Sequence, residues 1–363
     1  MRTPTASGLD DVVAAETVMS DVDGEAGQLV IRGHTVEELA ANSTFEDVVG
    51  LMWNGTMPSA AEREALRTSL ARGRQDAFQM LPSLGNALEA PDAMSALRTS
   101  VAHLWATGDP REDRIRLTAA IPVFGAAWER ARTGEPAVKP DATLTHAADY
   151  LQMLSGSAPE AGRVAGLDAY LCCVVDHGMN ASTFVARAVA STGSDMVSAI
   201  VAAIGALKGP LHGGAPGPVL DMLDAIGDPD RAQGWLEAEL AARRRIMGMG
   251  HRIYRVRDPR AAALERAASN LEHSKTATDR LIMARVVERE AERLLTERYP
   301  GRNLRANVEF YTAVLLEAVG IPRTLFSPTF AASRVVGWCA HVDEQRQVGR
   351  LIRPNSRYVG PVI

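Results

Sequence analysis

Hydrophobic residues recur along most of the chain at the three- to four-residue spacing of a helix face, which predicts helices almost throughout. Thr35, Thr44 and Ser59 each stand just before such a segment, where a side-chain oxygen can accept from the first free N–H groups. Asp47 follows Thr44 by three residues in a capping-box arrangement. The helix that follows Ser59 is predicted to stop at Gly73.

Three segments depart from this amphipathic pattern. Residues 167–175 are apolar on every side, which is typical of a buried central helix. Residues 17–23 and 28–32 flank a glycine-bearing turn and predict a β-hairpin. The periodic segment 111–132 holds Pro122, so we expect a kink or two shorter helices there. One hairpin among many helices predicts an all-α protein.

Composition then excludes several classes of protein. The 363 residues are 46% hydrophobic and 23% charged, as in an ordinary globular protein. A net charge of −5 argues against nucleic acid as the main partner, and no apolar run is long enough to cross a membrane. The three cysteines have neither disulfide-framework nor metal-site spacing, and the N-terminus lacks targeting features. We therefore expect a cytoplasmic protein with no bound metal.

The candidate chemistry lies in glycine-rich loops that each hold one histidine: His177, His212 and His251. The stretch 247–260 adds four arginines and two glycines around the last of these. Arginine binds carboxylate or phosphate through a planar fork, and histidine can pass a proton near neutral pH. The stretch is typical of proton chemistry on an anionic substrate. A basic turn with a solvated histidine is the alternative from these residues alone.

The same loops, together with a carboxylate in the first turn of a later helix, resemble citrate synthases. The resembling segments follow the family's order and spacing over nearly the whole chain. They are Ser20-Asp-Val-Asp-Gly24, Asp176-His-Gly-Met-Asn-Ala-Ser-Thr183, Lys208-Gly-Pro-Leu-His-Gly-Gly214, Gly248-Met-Gly-His-Arg-Ile-Tyr-Arg255, Asp258-Pro-Arg260, Asn307-Val-Glu-Phe-Tyr311, Phe330-Ala-Ala-Ser-Arg334, Gly337-Trp-Cys-Ala-His341 and Arg353-Pro354.

The resemblance implies an all-α, two-domain fold: a large domain of residues 1–212 and 319–363, and a small mobile domain of residues 213–318. It also implies a homodimer. The implied activity is that of an acyltransferase of the tricarboxylic acid or methylcitrate cycle. It condenses an acyl-CoA, acetyl-CoA or propionyl-CoA, with oxaloacetate and then hydrolyses the thioester. No permanently bound cofactor is expected, because the CoA thioester is a co-substrate.

The resemblance also assigns the residues that bind substrate. Arg260, Arg334 and Arg353 match the arginines that clamp the oxaloacetate carboxylates, with Arg353 supplied by the partner subunit. His177 matches a further oxaloacetate contact. Fork-shaped guanidinium groups suit such carboxylates. A role for His177 in capping the C-terminus of the buried helix remains the structural alternative.

For the chemical steps, the resemblance makes Glu309 the base that deprotonates the acyl methyl group. His212 matches the donor to the enol oxygen, and His251 the donor that protonates the ketone oxygen. A very weak carbon acid needs such a base and such donors. The loop that faces CoA would consist of Met247, Gly248, Met249 and Gly250.

Glu309 departs from the family pattern, since most citrate synthases have Asp there. The extra methylene moves the carboxylate by about 1.5 Å, and a misplacement of about 1 Å can cost about a hundredfold in rate. Pro216, Thr312, Ala313 and Asn355 also depart from the family pattern, and they put the length of the acyl chain in doubt. Two alternatives stay open, the first from these departures and the second from Glu309. One is a homologue that uses a longer acyl-CoA or another 2-oxo acid. The other is a weakly active or non-catalytic dimer that only binds ligand.

Overall fold

The computed structural model describes residues 7–9, 12–213, 216–271 and 275–361 of the chain. Gly214 of the His212 motif lies outside these ranges. The described residues form fifteen α-helices: α1 Val36–Asn42, α2 Phe45–Asn54, α3 Ala60–Met80, α4 Ala93–Val101, α5 Pro110–Arg132, α6 His146–Ser155, α7 Ala161–Val174, α8 Ala181–Ala190, α9 Met196–Leu207, α10 Pro216–Ile226, α11 Ala232–Ala241, α12 Pro259–Ser269, α13 Lys275–Arg298, α14 Val308–Val319 and α15 Phe326–Val348. The all-α prediction is confirmed.

The predicted N-terminal hairpin is present and has one more strand than expected. β1 Ser20–Asp23 pairs antiparallel with β2 Gln28–Ile31, in a register that sets Ser20 opposite Ile31. A two-residue strand, β3 His34–Thr35, pairs with the far edge of β2. The small sheet therefore continues directly into the cap of α1.

Local capping signals predict the first helices well. Thr35, Thr44 and Ser59 each cap a helix, with the acid three residues later completing a capping box in all three cases. The predicted stop at Gly73 is wrong, because α3 runs on to Met80. A Cβ at position 73 would lie 2.8 Å from the Cβ of Ala119. The glycine therefore allows α3 to pack closely on α5 and does not end the helix.

Other boundaries also depart from the sequence expectations. Pro122 lies inside the single helix α5, so of the two alternatives predicted there, a kink or two shorter helices, the second is wrong. The spacing of apolar residues also predicts a helix over 92–107, but α4 ends at Val101. It predicts another over 229–246, which is divided into a short 3-10 turn and α11, ending at Ala241. Residues 242–246 therefore add irregular backbone ahead of the His251 loop.

The buried helix α7 organises the region of the candidate site. It packs against α1, α12, α14 and α15, and every residue from Gly166 to Val174 is buried. The three cysteines are free and buried, as expected for core residues. No helix in the described part of the chain is long and apolar enough to cross a membrane.

Candidate active site

Two glycines shape the loop between α11 and α12 and tie it to the start of α14. Gly248 and Gly250 have φ angles of +74° and +88°, a region that residues with a Cβ rarely adopt. The Gly248 carbonyl accepts from the Asn307 N–H at 2.9 Å, and the Gly250 N–H donates to the Arg305 carbonyl at 2.7 Å. The loop is thus fastened to the cap of the helix that carries Glu309.

This loop fixes the hydrogen position on the His251 ring. Its Nδ1 accepts from the backbone N–H groups of Ile253, at 3.0 Å, and Tyr254, at 3.1 Å. The neutral ring therefore keeps its hydrogen on Nε2. Burial lowers the pKa of His251 to about 4, and the charge of Arg260 acts in the same direction. At neutral pH the side chain is an uncharged donor.

His177 meets the same loop through Tyr254. Its Nε2 lies 3.1 Å from the Tyr254 hydroxyl, and its ring centroid is 5.6 Å from that of His251. Burial lowers the pKa of His177 well below its ordinary value, and the charges of Arg260 and Arg334 add to this. The ring is buried and neutral, beside two cations.

The C-terminal carbonyls of α7 find their partners on α15. Ser333 Oγ donates to the Leu171 carbonyl at 2.5 Å, and Arg334 Nε donates to the Val174 carbonyl at 2.7 Å. Among the described residues, the His177 ring contacts the Tyr254 hydroxyl and no carbonyl of α7. The alternative role of His177 as a helix cap therefore finds no support in these contacts.

Arg260 is a buried guanidinium whose charge is balanced within the chain. Its Nε and Nη2 donate to the two carboxylate oxygens of Asp258 at 3.0 and 2.8 Å. Burial opposes the charge, but Asp258 more than offsets this and the pKa of Arg260 is raised. Asp258 also accepts from the Arg260 N–H at 3.0 Å and the Val308 N–H at 3.2 Å. One carboxylate thus joins the first turns of α12 and α14.

Arg334 is equally buried but pairs with no carboxylate among the described residues. Nη2 has no hydrogen-bond partner among the described residues, and the guanidinium lies 4.5 Å from the centre of the Phe330 ring. Burial lowers the pKa of Arg334 to about 10, although the Asp176 carboxylate pulls in the opposite direction. A buried cation with an unused donor is the arrangement that an anionic ligand would complete.

Glu309 is partly buried in the first turn of α14, one residue after the N-terminal Val308. Burial raises the pKa of its carboxyl group to about 7. The Arg260 charge opposes this rise, Asp258 adds to it and Arg334 again opposes it. The side chain therefore lies within electrostatic range of both arginines. A carboxyl group poised near neutral pH is suited to general base chemistry.

His212 contacts a second group of residues at the start of α8. Its Nε2 lies 2.8 Å from the Ser182 hydroxyl, to which the Trp338 indole N–H also donates at 3.1 Å. The Ser182 hydroxyl in turn donates to Asn180 Oδ1 at 2.8 Å. Burial lowers the pKa of His212 to about 4, and Arg334 acts in the same direction. Arg334 thus connects this group electrostatically with the first one.

Arg353 is not brought together with the other residues assigned from the sequence. It lies exposed on the C-terminal tail, and no hydrogen bond or ion pair within the described residues joins it to the cluster. The loop 247–250 is adjacent to the cluster, with Met247 exposed and Met249 buried. Since the Gly250 N–H is bonded to Arg305, that group is not available to a ligand in this arrangement.

Sequence reasoning gave no role to several residues that shape the site: Asp258, Tyr254, Ser182 and Trp338. Asp258 precedes a proline in the first helical position, which is the signal of an N-cap. It also pairs locally with Arg260, two residues later, and of the bonds to its carboxylate only the one from the Val308 N–H is a tertiary contact. Tyr254 follows His251 by three residues, but its contact with His177 joins segments 77 residues apart. Spacing alone gives no indication of such a contact.

Comparisons with family models, with characterised proteins and with solved structures all point to the same family. The model described as "Citrate synthase, C-terminal domain" matches residues 8–355. A citrate synthase of Haloferax volcanii is 38% identical over 97% of this chain and 95% of its own length. A 2-methylcitrate synthase of Mycobacterium tuberculosis is 36% identical over 99% and 91%, respectively.

A solved structure matches the fold over nearly its whole length. It is the citrate synthase of Thermoplasma acidophilum in a ternary complex with carboxymethyl coenzyme A and oxaloacetate. It superposes with a TM-score of 0.87 at 26% identity, over 99% of this chain and 97% of that one. These matches define a helical acyltransferase fold. The chain belongs to the citrate synthase family.

Proposed function

We propose that this protein condenses acetyl-CoA or propionyl-CoA with oxaloacetate and hydrolyses the thioester, releasing CoA with citrate or 2-methylcitrate. The observation that carries the proposal is the buried Arg334 guanidinium, whose Nη2 lacks a partner in the described chain, within electrostatic range of the Glu309 carboxyl group. A dicarboxylate substrate supplies the missing anion. Membership of the citrate synthase family supports the reaction, and no permanently bound cofactor is needed.

The two buried arginines would hold oxaloacetate in different ways. Arg334 offers an unused N–H group and an uncompensated charge. Arg260 already shares its Nε and Nη2 with Asp258, which leaves Nη1 for a substrate carboxylate. His177, which is neutral and buried, adds an uncharged contact. Charge-assisted bonds of this kind fix both the position and the orientation of a carboxylate.

The chemical steps follow from the protonation states of the site. Glu309, when ionised, removes a proton from the methyl or methylene carbon next to the thioester carbonyl, while His212 donates to the enol oxygen. The enol carbon then bonds to the ketone carbon of oxaloacetate. The Nε2–H of His251 donates to the ketone oxygen and supplies the proton for the developing alkoxide. Water finally hydrolyses the thioester: one of its protons goes to the CoA thiolate that leaves, the other restores the Nε2–H of His251, and Glu309 releases its proton to solvent.

The domain division is part of the proposal. Residues 1–212 and 319–363 would form the large domain, and residues 213–318 the small one. His177 and Arg334 then belong to the large domain, whereas His251, Arg260 and Glu309 belong to the small one. A site shared in this way is completed by closure, which excludes water from the reacting groups.

We also propose a homodimer in which the partner subunit contributes its Arg353 to the site. The exposure of Arg353 in the single chain is consistent with this, as is the large exposed indole of Trp105, at 82%. The loop Met247, Gly248, Met249 and Gly250 is proposed to face CoA through Met247 and the backbone that the Arg305 contact leaves free. A cytoplasmic location fits these substrates.

A panel of acyl donors tests the reaction. Release of free CoA is measured with oxaloacetate and acetyl-CoA, propionyl-CoA or a longer acyl-CoA, and with other 2-oxo acids as acceptors. We expect release with oxaloacetate and with acetyl-CoA or propionyl-CoA. Preference for a longer donor or another acceptor would favour the alternative substrate class. No release above background with any pair would contradict the enzyme assignment.

The non-catalytic alternative is motivated by Glu309 and needs its own test. A ligand-binding homologue would bind oxaloacetate in calorimetry without turnover, and Glu309→Asp would not change its activity. In an enzyme adjusted to glutamate, Glu309→Asp retracts the base by about one bond and lowers turnover by about a hundredfold. A sharp rise in turnover would instead mean that the native carboxylate is out of position.

A further inference from the structure

We propose that Tyr254 is a positioning residue for oxaloacetate, because its hydroxyl group donates to Nε2 of His177 and so presents the Nδ1–H of His177 to the substrate. The inference rests on the proposed function, since it deepens the role of His177 in that site. Tyr254 would act through the histidine and would not itself touch the reacting atoms.

Tyr254 packs against both histidines. It is 2% exposed, and its hydroxyl oxygen lies 3.1 Å from Nε2 of His177. The rings of Tyr254 and His251 are 4.7 Å apart at their centroids, and those of Tyr254 and His177 are 5.6 Å apart. The two imidazole rings are themselves 5.6 Å apart, so the three rings form a triangle in which the phenol contacts both of its neighbours.

The need to pair the single hydrogen of the phenol decides whether Tyr254 or His177 is the donor in their contact. A phenol has one hydrogen, and the contact with His177 is the only bond of the Tyr254 hydroxyl within the described residues. If His177 donated, that hydrogen would be buried without a partner, at a cost of about 1–3 kcal/mol. The guanidinium of Arg260, 5.9 Å from the ring centre, also favours the phenol as a donor by repelling its proton.

The consequence is a pair of histidines with opposite tautomers. The backbone N–H of Tyr254 donates to Nδ1 of His251, which leaves the hydrogen of that ring on Nε2. The hydroxyl group of the same residue occupies Nε2 of His177, which leaves the hydrogen of that ring on Nδ1. Tyr254 thus sets the direction in which His177 offers its N–H and, together with the backbone N–H of Ile253, the direction in which His251 does so.

Tyr254→Phe tests the proposal, because it removes the hydroxyl group and keeps the packed ring. We expect the Kd and the KM for oxaloacetate to rise about tenfold, the value of one hydrogen bond, while kcat changes less than about threefold. The KM for acyl-CoA should stay the same. Tyr299→Phe, which alters a tyrosine at the end of α13, is the matched control and should match the wild type.

A double-mutant cycle separates positioning from general destabilisation. If the hydroxyl group acts only through His177, Tyr254→Phe should have almost no further effect on oxaloacetate affinity in a His177→Ala background. An equal loss of affinity in both backgrounds, or wild-type affinity in Tyr254→Phe, would overturn the proposal. A loss of thermal stability alone would not produce the expected non-additivity.

Nitrogen NMR of protein labelled in its histidine rings tests the tautomers without any substrate. Signals are assigned with His177→Ala and His251→Ala. We expect a protonated Nδ1 in His177 and a protonated Nε2 in His251, and loss of the single His177 tautomer in Tyr254→Phe. A protonated Nε2 in wild-type His177 would overturn the inference even if the enzyme turns over. Absence of CoA release with the expected tautomers would instead contradict the proposed function alone.

Discussion

The Arg260 side and the Arg334 side of the site differ in how far their charges are balanced by the protein itself. On the first side, Asp258 bonds to two nitrogens of Arg260 and to the first turns of two helices. On the second side, Arg334 bonds to one carbonyl oxygen, and its Nη2 is left without a partner in the described chain. One half is complete before substrate arrives, and the other is not.

The difference shows where binding energy can come from. Taking a cation out of water costs several kcal/mol, which a well-placed carboxylate repays. The carboxylate that most favours the charge of Arg334 is Asp176, but its oxygens are bonded to the Ser20 hydroxyl and the His341 ring. The free-energy cost of burying the Arg334 charge therefore stays largely uncompensated until an anion binds. The Arg260 side instead gives the arriving substrate a rigid frame.

The largest effect is expected from Glu309, the carboxyl group that both arginines influence. Glu309→Gln should reduce CoA release by about 100- to 10,000-fold, the usual range for a lost general base. Oxaloacetate affinity should change little, because the arginines remain. Glu317→Gln is the control on the same helix, since Glu317 pairs with Arg280 and Arg323 near the surface. Activity close to wild type in Glu309→Gln would contradict the assignment of the base.

Replacing each arginine by methionine tests the comparison directly. Arg260→Met leaves Asp258 buried without its counter-charge, so we expect the free energy of unfolding to fall by about 3–5 kcal/mol. Arg334→Met removes a charge that no carboxylate pairs with, so the free energy of unfolding should stay the same or rise. Chemical denaturation at one pH measures both values.

The same two variants should both bind oxaloacetate more weakly, by about 10- to 100-fold in calorimetry, because each loses a charge-assisted contact. Stability and affinity should then move together in Arg260→Met and separately in Arg334→Met. If Arg334→Met loses as much stability as Arg260→Met, an internal partner balances Arg334 and the comparison fails.

The general organisation of the chain was accessible from sequence because its signals are local. The caps at Thr35, Thr44 and Ser59 each combine a hydroxyl group with an acid three residues later, and all three begin helices. Residues 167–175 are apolar on every side and largely coincide with the buried helix α7. In both cases a few adjacent residues decide the outcome.

The balance of charge in the site was not accessible, because the surroundings of Arg334 depend on contacts between distant segments. The sequence placed Arg260 and Arg334 in one class, as clamps for carboxylates. The fold distinguishes them, since Arg260 pairs with Asp258 two residues before it, while Arg334 donates to a carbonyl oxygen of α7 that is far away in the sequence. Gly73 makes the same point, since its role follows from the closeness of Ala119 on another helix.

The pH dependence of the reaction comes next in size. Because Glu309 acts as a base only when ionised, and its pKa is about 7, kcat/KM should fall about tenfold for each pH unit below about 7. His212 and His251, with pKa values of about 4, should add no step between pH 5 and 9. Tyr254→Phe should not change this fall of kcat/KM below pH 7, because the Tyr254 hydroxyl group contacts His177 and not Glu309. A profile that stays flat down to pH 5 would contradict the perturbed carboxyl group.

The same shift has a consequence for stability. The pKa of Glu309 is raised in the folded state. The contribution of its protonated carboxyl group to the free energy of unfolding is therefore fully present below the pKa in the unfolded chain, about 4.3. That contribution is lost as the pH rises through about 7. Glu309→Gln should therefore raise the Tm relative to the wild type more at pH 8 than at pH 5. Equal differences at the two pH values would mean that the group is not perturbed.

The smallest effect tests how firmly the Arg260 side is built. A Cβ on Gly248 would lie 2.8 Å from the Phe310 ring, at a φ angle of +74°. Gly248→Ala should therefore lower the free energy of unfolding by at least about 1 kcal/mol and also reduce kcat, because the loop and the first turn of α14 are displaced together. Gly234→Ala is the control, since Gly234 lies in α11 with open space around it. That change should raise stability by about 0.5–1 kcal/mol and leave kcat unchanged. If Gly248→Ala lowers stability while kcat stays at the wild-type value, the loop supports the fold but does not position Glu309.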